Sequence, residues 1–185
     1  GTFRKSSGPD VTQMNSWWKF FNQSGGVIDV ASGELEFTMS NSNFVNTQGG
    51  IIKGTDSIDV PGGFTNDGII NPGSALGTLT YVGNFVPLST AELRIELGGL
   101  TNTNYDKLNV IGNTTLSGEI NVSLINNFEP AVGDSFIVLT TTGTVTDSFE
   151  IVSAQTGLYV HVNYNSNHVT VVIDSVSLTS VEDIT

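Results

Sequence analysis

The chain has 185 residues, of which 38% are hydrophobic and only 13% charged, a balance that supports one packed domain and argues against a disordered segment. Eighteen acidic residues against six basic ones give a net charge of −12, which repels phosphate backbones and makes nucleic acid an unfavourable partner. With no cysteine, the chain has neither disulfides nor thiolate metal sites at its disposal, and its stability must come from packing and backbone pairing.

The hydrophobic pattern has period two nearly throughout, in short pieces bounded by Gly, Asn and Ser, which predicts many short strands and no helices. In chain order the predicted strands are Val27-Ile28-Asp29-Val30, Glu34-Leu35-Glu36-Phe37, Gly50-Ile51-Ile52, Ser57-Ile58-Asp59-Val60, Gly68-Ile69-Ile70 and Thr78-Leu79-Thr80-Tyr81-Val82. They continue as Glu92 to Leu97, Lys107 to Val110, Glu119 to Leu124 and Ser135 to Leu139. The inward positions of these strands are expected at Ile28, Val30, Ile52, Ile70, Leu79, Leu93, Ile95, Leu108, Val110, Ile120, Val122, Phe136 and Val138.

The strands also resemble one another. Gly26-Val27-Ile28, Gly50-Ile51-Ile52 and Gly68-Ile69-Ile70 recur at offsets of 24 and 18 residues, each after a turn bearing Asn or Gln. A second unit, Gly-x-apolar-x-apolar, begins at Gly33, Gly77 and Gly118. Recurrence near 20 residues is the mark of a solenoid whose coils each supply two or three strands, with Gly and Asn at the corners and Asn side chains able to bond from coil to coil. The expected fold is therefore all-β, a right-handed parallel β-helix of about eight coils and on the order of 40 Å in length. A β-sandwich, which also has short alternating strands, is the alternative.

Two stretches depart from the repeat. Residues 1–24 form an atypical first coil, with Trp17, Trp18, Lys19, Phe20 and Phe21 as a dense aromatic cluster. Residues 158–174 read as two longer strands joined by Asn165-Ser166-Asn167, a hairpin expected to cap the stack against edge-to-edge aggregation. The solenoid thus spans residues 1–174, and 175–185 are expected to be a weakly protected linker to a further C-terminal domain.

From Asn66 to Val152 an ordered series of motifs carries a family resemblance: Asn66-Asp67-Gly68-Ile69-Ile70, Asn71-Pro72-Gly73-Ser74-Ala75-Leu76-Gly77, Leu93 to Gly99, Tyr105 to Val110 with Leu116-Ser117-Gly118, and Pro130 to Phe136. The series resembles the C-terminal half of autotransporter-like passenger β-helices of large secreted bacterial surface proteins. The resemblance implies an extracellular or cell-surface stalk or display rod and carries over no catalytic residue. The run Thr179-Ser180-Val181-Glu182-Asp183 is similar to the segment that often precedes the sorting domain of type IX secretion substrates.

Candidate chemistry is sparse. His161 and His168, the only histidines, lie in the closing hairpin without a nucleophile elbow or oxyanion loop. The acidic pairs Asp56/Asp59 and Glu34/Glu36 would suit a polysaccharide-active enzyme, but the basic residues are scattered. Asn102-Thr103-Asn104-Tyr105-Asp106 is a turn with loose calcium-ligand character. Trp17, Trp18 and Phe21 offer a sugar-stacking platform. The threonines of Thr140 to Thr146 do not share one register with threonines on the other coils, as an ice-binding face would need.

No catalytic, cofactor-binding or metal-ligating residue is assigned, and no cofactor is expected. The sequence reads as a non-catalytic structural or adhesive module, with a carbohydrate-binding module and a polysaccharide-active β-helix enzyme as alternatives. Its expected partners are an extracellular glycan or a surface protein. No apolar run approaches the roughly 20 residues of a membrane span, so this segment is not expected to enter a bilayer, and an export signal is expected upstream. Far-ultraviolet circular dichroism should show a dominantly β spectrum; a helix content above about one quarter would contradict the strand assignment.

Overall fold

The computed structural model describes residues 1–15, 19–38, 44–61 and 64–177. The described residues are all-β, in twenty strands without a helix. Three strands make a repeat: β1 (Thr2–Lys5), β2 (Val11–Met14) and β3 (Phe20–Asn22), then β4 (Val27–Val30), β5 (Glu34–Phe37) and β6 (Phe44–Asn46), then β7 (Ile51–Gly54), β8 (Ser57–Asp59) and β9 (Thr65–Asn66). Next come β10 (Ile69–Pro72) and β11 (Thr78–Val82), then β12 (Glu92–Leu97), β13 (Lys107–Ile111) and β14 (Thr114–Thr115), then β15 (Glu119–Leu124), β16 (Ser135–Thr141) and β17 (Val145–Thr146). The described chain closes with β18 (Ile151–Ala154), β19 (Leu158–Tyr164) and β20 (His168–Val176).

Outside the closing pair β19 and β20, the strands pair in parallel with their counterparts in the neighbouring repeat. The first strands form a seven-stranded sheet, β1-β4-β7-β10-β12-β15-β18, and the second strands an eight-stranded sheet, β2-β5-β8-β11-β13-β16-β20-β19. The third strands form a sheet of β3-β6-β9 and a pair β14-β17, joined by single parallel bridges through Phe85 and Pro87. Long parallel sheets built from successive short strands are compatible with a solenoid. Seven strands rather than about eight coils span roughly 30 Å at the usual inter-strand spacing.

Stacking repeats in register places like residues over like. In the seven-stranded sheet one inward row runs Phe3, Ile28, Ile52, Ile70, Leu93, Ile120 and Val152, and its five interior members are at most 2% exposed. All thirteen inward positions expected from the alternation are buried. The alternation of burial fails in two expected strands: in β4 the outward Asp29 is buried beside Arg4, and in β16 Val138 and Leu139 are consecutive and both buried, because a bulge between Ile137 and Leu139 shifts the register against β20.

Two ladders reinforce the stack. Phe20, Phe37, Phe44, Phe64, Tyr81 and Phe85 pack ring against ring through the first four repeats, at centroid separations of 4.4 to 5.8 Å. Beside them, the buried Asn22 amide donates to Asn46 Oδ1 at 2.8 Å, and Asn46 donates in turn to Asn66 Oδ1 at 2.8 Å. The glycines that open β7 and β10 make room for this ladder: a Cβ at Gly50 would lie 2.6 Å from Asn46 Oδ1, and one at Gly68 2.6 Å from Asn46 Nδ2. The recurring Gly before each Val-Ile or Ile-Ile pair is thus a steric consequence of the backbone carbonyls of the turn together with the asparagine amide beside them.

The opening residues carry three strands in register with the second repeat; Trp17 and Trp18 lie outside the described residues. The closing hairpin is present, with β19 antiparallel to β20 and β20 antiparallel to β16. Among the described residues it extends only the eight-stranded sheet and leaves β18 an edge, and the expectation that it closes the whole stack is corrected to that extent. Strand β20 runs on to Val176, two residues into the stretch expected to be linker, because Ser175 and Val176 pair with Tyr159 and Leu158. The remainder of that stretch, residues 178–185, lies outside the described residues.

Asn46→Ala should destabilise by about 2–4 kcal/mol in chemical denaturation, since it strips a partner from a buried donor on Asn22 and a buried acceptor on Asn66. Asn66→Ala, at the ladder's end, should cost less.

Candidate functional surfaces

The outward positions of the seven-stranded sheet are where polar chemistry gathers. Period-two alternation puts Glu92, Arg94 and Glu96 on the outer face of β12, and register places Asn121 beside Arg94 and Ser123 beside Glu96 on β15. With Asn71 of β10 these residues line a shallow cleft of about 210 Å³. The Arg94 guanidinium donates two hydrogen bonds to Glu92, Nε to Oε1 and Nη2 to Oε2, each 2.9 Å. That pairing neutralises Arg94 internally, so the cleft offers hydrogen bonds rather than an anion site. The alternation made the Glu92, Arg94 and Glu96 stripe legible, but only register adds the amides from the neighbouring strands.

Of the acidic pairs, the structure assembles one side and disperses the other. Glu36 and Asp59 stand side by side on the outer face of β5 and β8, with Glu34 close by. Burial, then Glu34 and Glu36, push the Asp59 carboxyl above its ordinary range. Asp56 turns instead to the corner, where its Oδ2 accepts the Gly33 amide at 2.6 Å. Asp56 and Asp59 therefore do not form a working pair. Among the described residues no group of three or more His, Cys, Asp or Glu side chains could hold a metal ion.

The turn from Asn102 to Asp106 is organised by its own chain. Tyr105 Oη donates to Asn102 Oδ1 at 2.6 Å. Asp106 is fully buried, and its two oxygens accept the backbone amides of Gly77 and Glu96, both at 3.0 Å. Its carboxyl group thus ties the loop to two neighbouring segments and is not presented to solvent as a calcium ligand. Burial pushes its pKa up to about 8; the Glu96 and Gly77 amides pull it down without offsetting this, and the Glu96 carboxylate raises it further.

His161 lies on β19 with Nδ1 2.6 Å from Asp174 Oδ1, and its Nε2 faces the Asn163 amide at 3.5 Å, so the ring meets no nucleophile there. His168 Nδ1 contacts Asn167 Oδ1 at 2.8 Å at the hairpin tip. Phe21 is half exposed on β3, whereas its neighbour Phe20 turns into the aromatic stack. The rest of the expected sugar platform, Trp17 and Trp18, falls outside the described residues. The threonines connect over single steps, Thr140 Oγ1 to Asn109 Oδ1 at 3.0 Å and Thr146 Oγ1 to Thr115 Oγ1 at 3.2 Å.

A wider groove of about 460 Å³ runs along the third strands, with Val86, Pro87 and Leu116 as apolar lining and Asp147 and Glu150 as acidic lining. Ser117 donates to Glu150 at 2.7 Å along it.

Between the 3.8 of an ordinary aspartate and about 8, folded Asp106 holds a proton that the unfolded chain has released. Its contribution to stability is therefore full below pH 4 and falls as pH rises through 8. Asp106→Asn should flatten that part of the melting-temperature profile between about pH 5 and 8; an unchanged slope would show that the carboxylate is already ionised throughout.

Neither a protein-family model nor a curated protein matches the chain, so the functional reading rests on fold and surface chemistry.

Proposed function

We propose that the chain is a right-handed parallel β-helix serving as a non-catalytic structural or adhesive segment, a stalk or display rod, of a secreted bacterial cell-surface protein of the autotransporter-like kind. The observation that carries this reading is the repeating three-strand register, in which each repeat contacts only its neighbours and added repeats become added length. The right hand follows from the chirality of connections between parallel strands, which are right-handed in about 98% of cases. A surface filled with uncharged Thr, Asn and Ser suits exposure outside the cell. The similarity of Thr179 to Asp183 to the segment before a type IX sorting domain supports export by that route.

A second reading, an extracellular glycan-binding module, draws on the polar cleft of Asn71, Glu92, Arg94, Glu96, Asn121 and Ser123, whose amides, guanidinium and carboxylates can bond sugar hydroxyls.

A glycan array, run beside an activity screen on acidic polysaccharides with and without calcium, separates the readings. The rod expects no retained glycan and no turnover. Specific retention that Arg94→Ala abolishes would establish the cleft, retention lost with Trp17→Ala or Trp18→Ala would place the site on the first repeat, and any turnover would overturn a non-catalytic role.

A further inference from the structure

The two long sheets advance together, one strand each per repeat, from β1 and β2 to β15 and β16. Beyond that point the eight-stranded sheet adds β20 and then β19, while the seven-stranded sheet adds β18 alone. Among the described residues one sheet is therefore a strand short at this end. The shortfall is visible in exposure. Val152 occupies the inward row directly after Ile120, where every interior member is buried, yet it is 40% exposed, and its neighbour Ile151 is 53% exposed.

A strand edge with unpaired backbone groups and an uncovered core residue is a template for another strand. The charge around it selects which strand. After Lys107 the sequence contains no lysine or arginine while eight acidic residues follow, and two of these, Glu119 and Glu150, stand beside β18. Glu119 is in register with Ile151 of β18, and Glu150 immediately precedes that strand.

We propose that the slot beside β18 takes an extended strand of a partner polypeptide, with lysine or arginine alternating with apolar residues, which pairs with β18 and covers Val152. Its apolar residues lie inward over Val152, and its cations meet the carboxylates of the rim. The backbone pairing supplies affinity without sequence demand, and the alternation with positive charge supplies the selectivity. The chain's own closing run, Val181-Glu182-Asp183, has the wrong charge for this place.

The probe is a labelled peptide of alternating lysine and valine, titrated into the full chain and compared with its glutamate-valine counterpart by fluorescence anisotropy. The lysine peptide is expected to bind, to slow amide exchange at Ile151–Ala154, and to weaken as salt is raised. Val152→Lys should lower affinity at least about tenfold, the ratio that one unpaired charge in the contact commands. Glu150→Lys tests the rim without touching the core row and should weaken binding in the same direction. Melting temperatures close to that of the parent chain show that both variants fold. Equal binding of the two peptides, or binding that leaves exchange in β18 unchanged, overturns the proposal. Concentration-dependent self-association in sedimentation that the lysine peptide does not displace overturns it in favour of a second copy of this chain.

Discussion

Parallel register is the constraint on which the rest of this molecule depends. Because each strand pairs with the equivalent strand of the next repeat, every residue stands about 4.8 Å from its counterpart, and any side chain at a given position must tolerate a near copy of itself above and below. Aliphatic residues meet that condition by packing, phenylalanines by tilted and edge contacts, and asparagine because its side chain is both donor and acceptor and can pass a hydrogen bond along the stack. A charge repeated inward would fail at once. The inner rows are accordingly apolar or amide, with exceptions such as Lys5 on the first strand and Thr114 on β14, and the charged residues stand mainly in outward rows and at corners.

The amide ladder shows that register outranks chain length. Asn22 and Asn46 are 24 residues apart and Asn46 and Asn66 are 20 apart, yet both steps close at the same hydrogen-bond distance. The difference is absorbed by the intervening segments. The ladder stops where the register offers Pro87 opposite Asn66, leaving Asn66 Nδ2 buried without a partner among the described residues. From there the third strands are rebuilt as β14 and β17, and longer loops enter the repeat. Asp106 belongs to one of these loops. With the repeat no longer holding that segment by stacking, a buried carboxylate does so through two backbone amides, at the cost of a raised pKa.

This division of labour also bears on function. A constellation that performs chemistry needs different residue types converging on one point, whereas a stack in register spreads similar residues along a line. The outer faces therefore provide lines of hydrogen-bonding groups along the stack. The carboxylates that come together, Glu36 and Asp59, do so as neighbours in such a line, where burial first and then the nearby Glu34 and Glu36 raise the Asp59 pKa.

The sequence by itself determined twelve of the twenty strands, their inward faces and the repeat, and left β1, β2 and β18 unnamed. Period-two alternation identifies which side of Leu93-Arg94-Ile95 is buried, and Gly50-Ile51-Ile52 against Gly68-Ile69-Ile70 identifies what stacks on what, because both signals are local and repeated. The short third strands, such as β9 and β14, escaped it because two residues cannot display a period. The bulge that buries both Val138 and Leu139 escaped it because it arises from the antiparallel approach of β20. Tertiary structure alone decided that Asp106 is buried while Asp59 is on the surface, that Asn71 and Asn121 join Arg94, and that the hairpin lengthens one sheet and leaves Val152 at an open edge. Each of these depends on how a segment registers against another distant in the chain, and pairing energy between distant segments is not written in the local pattern of either one.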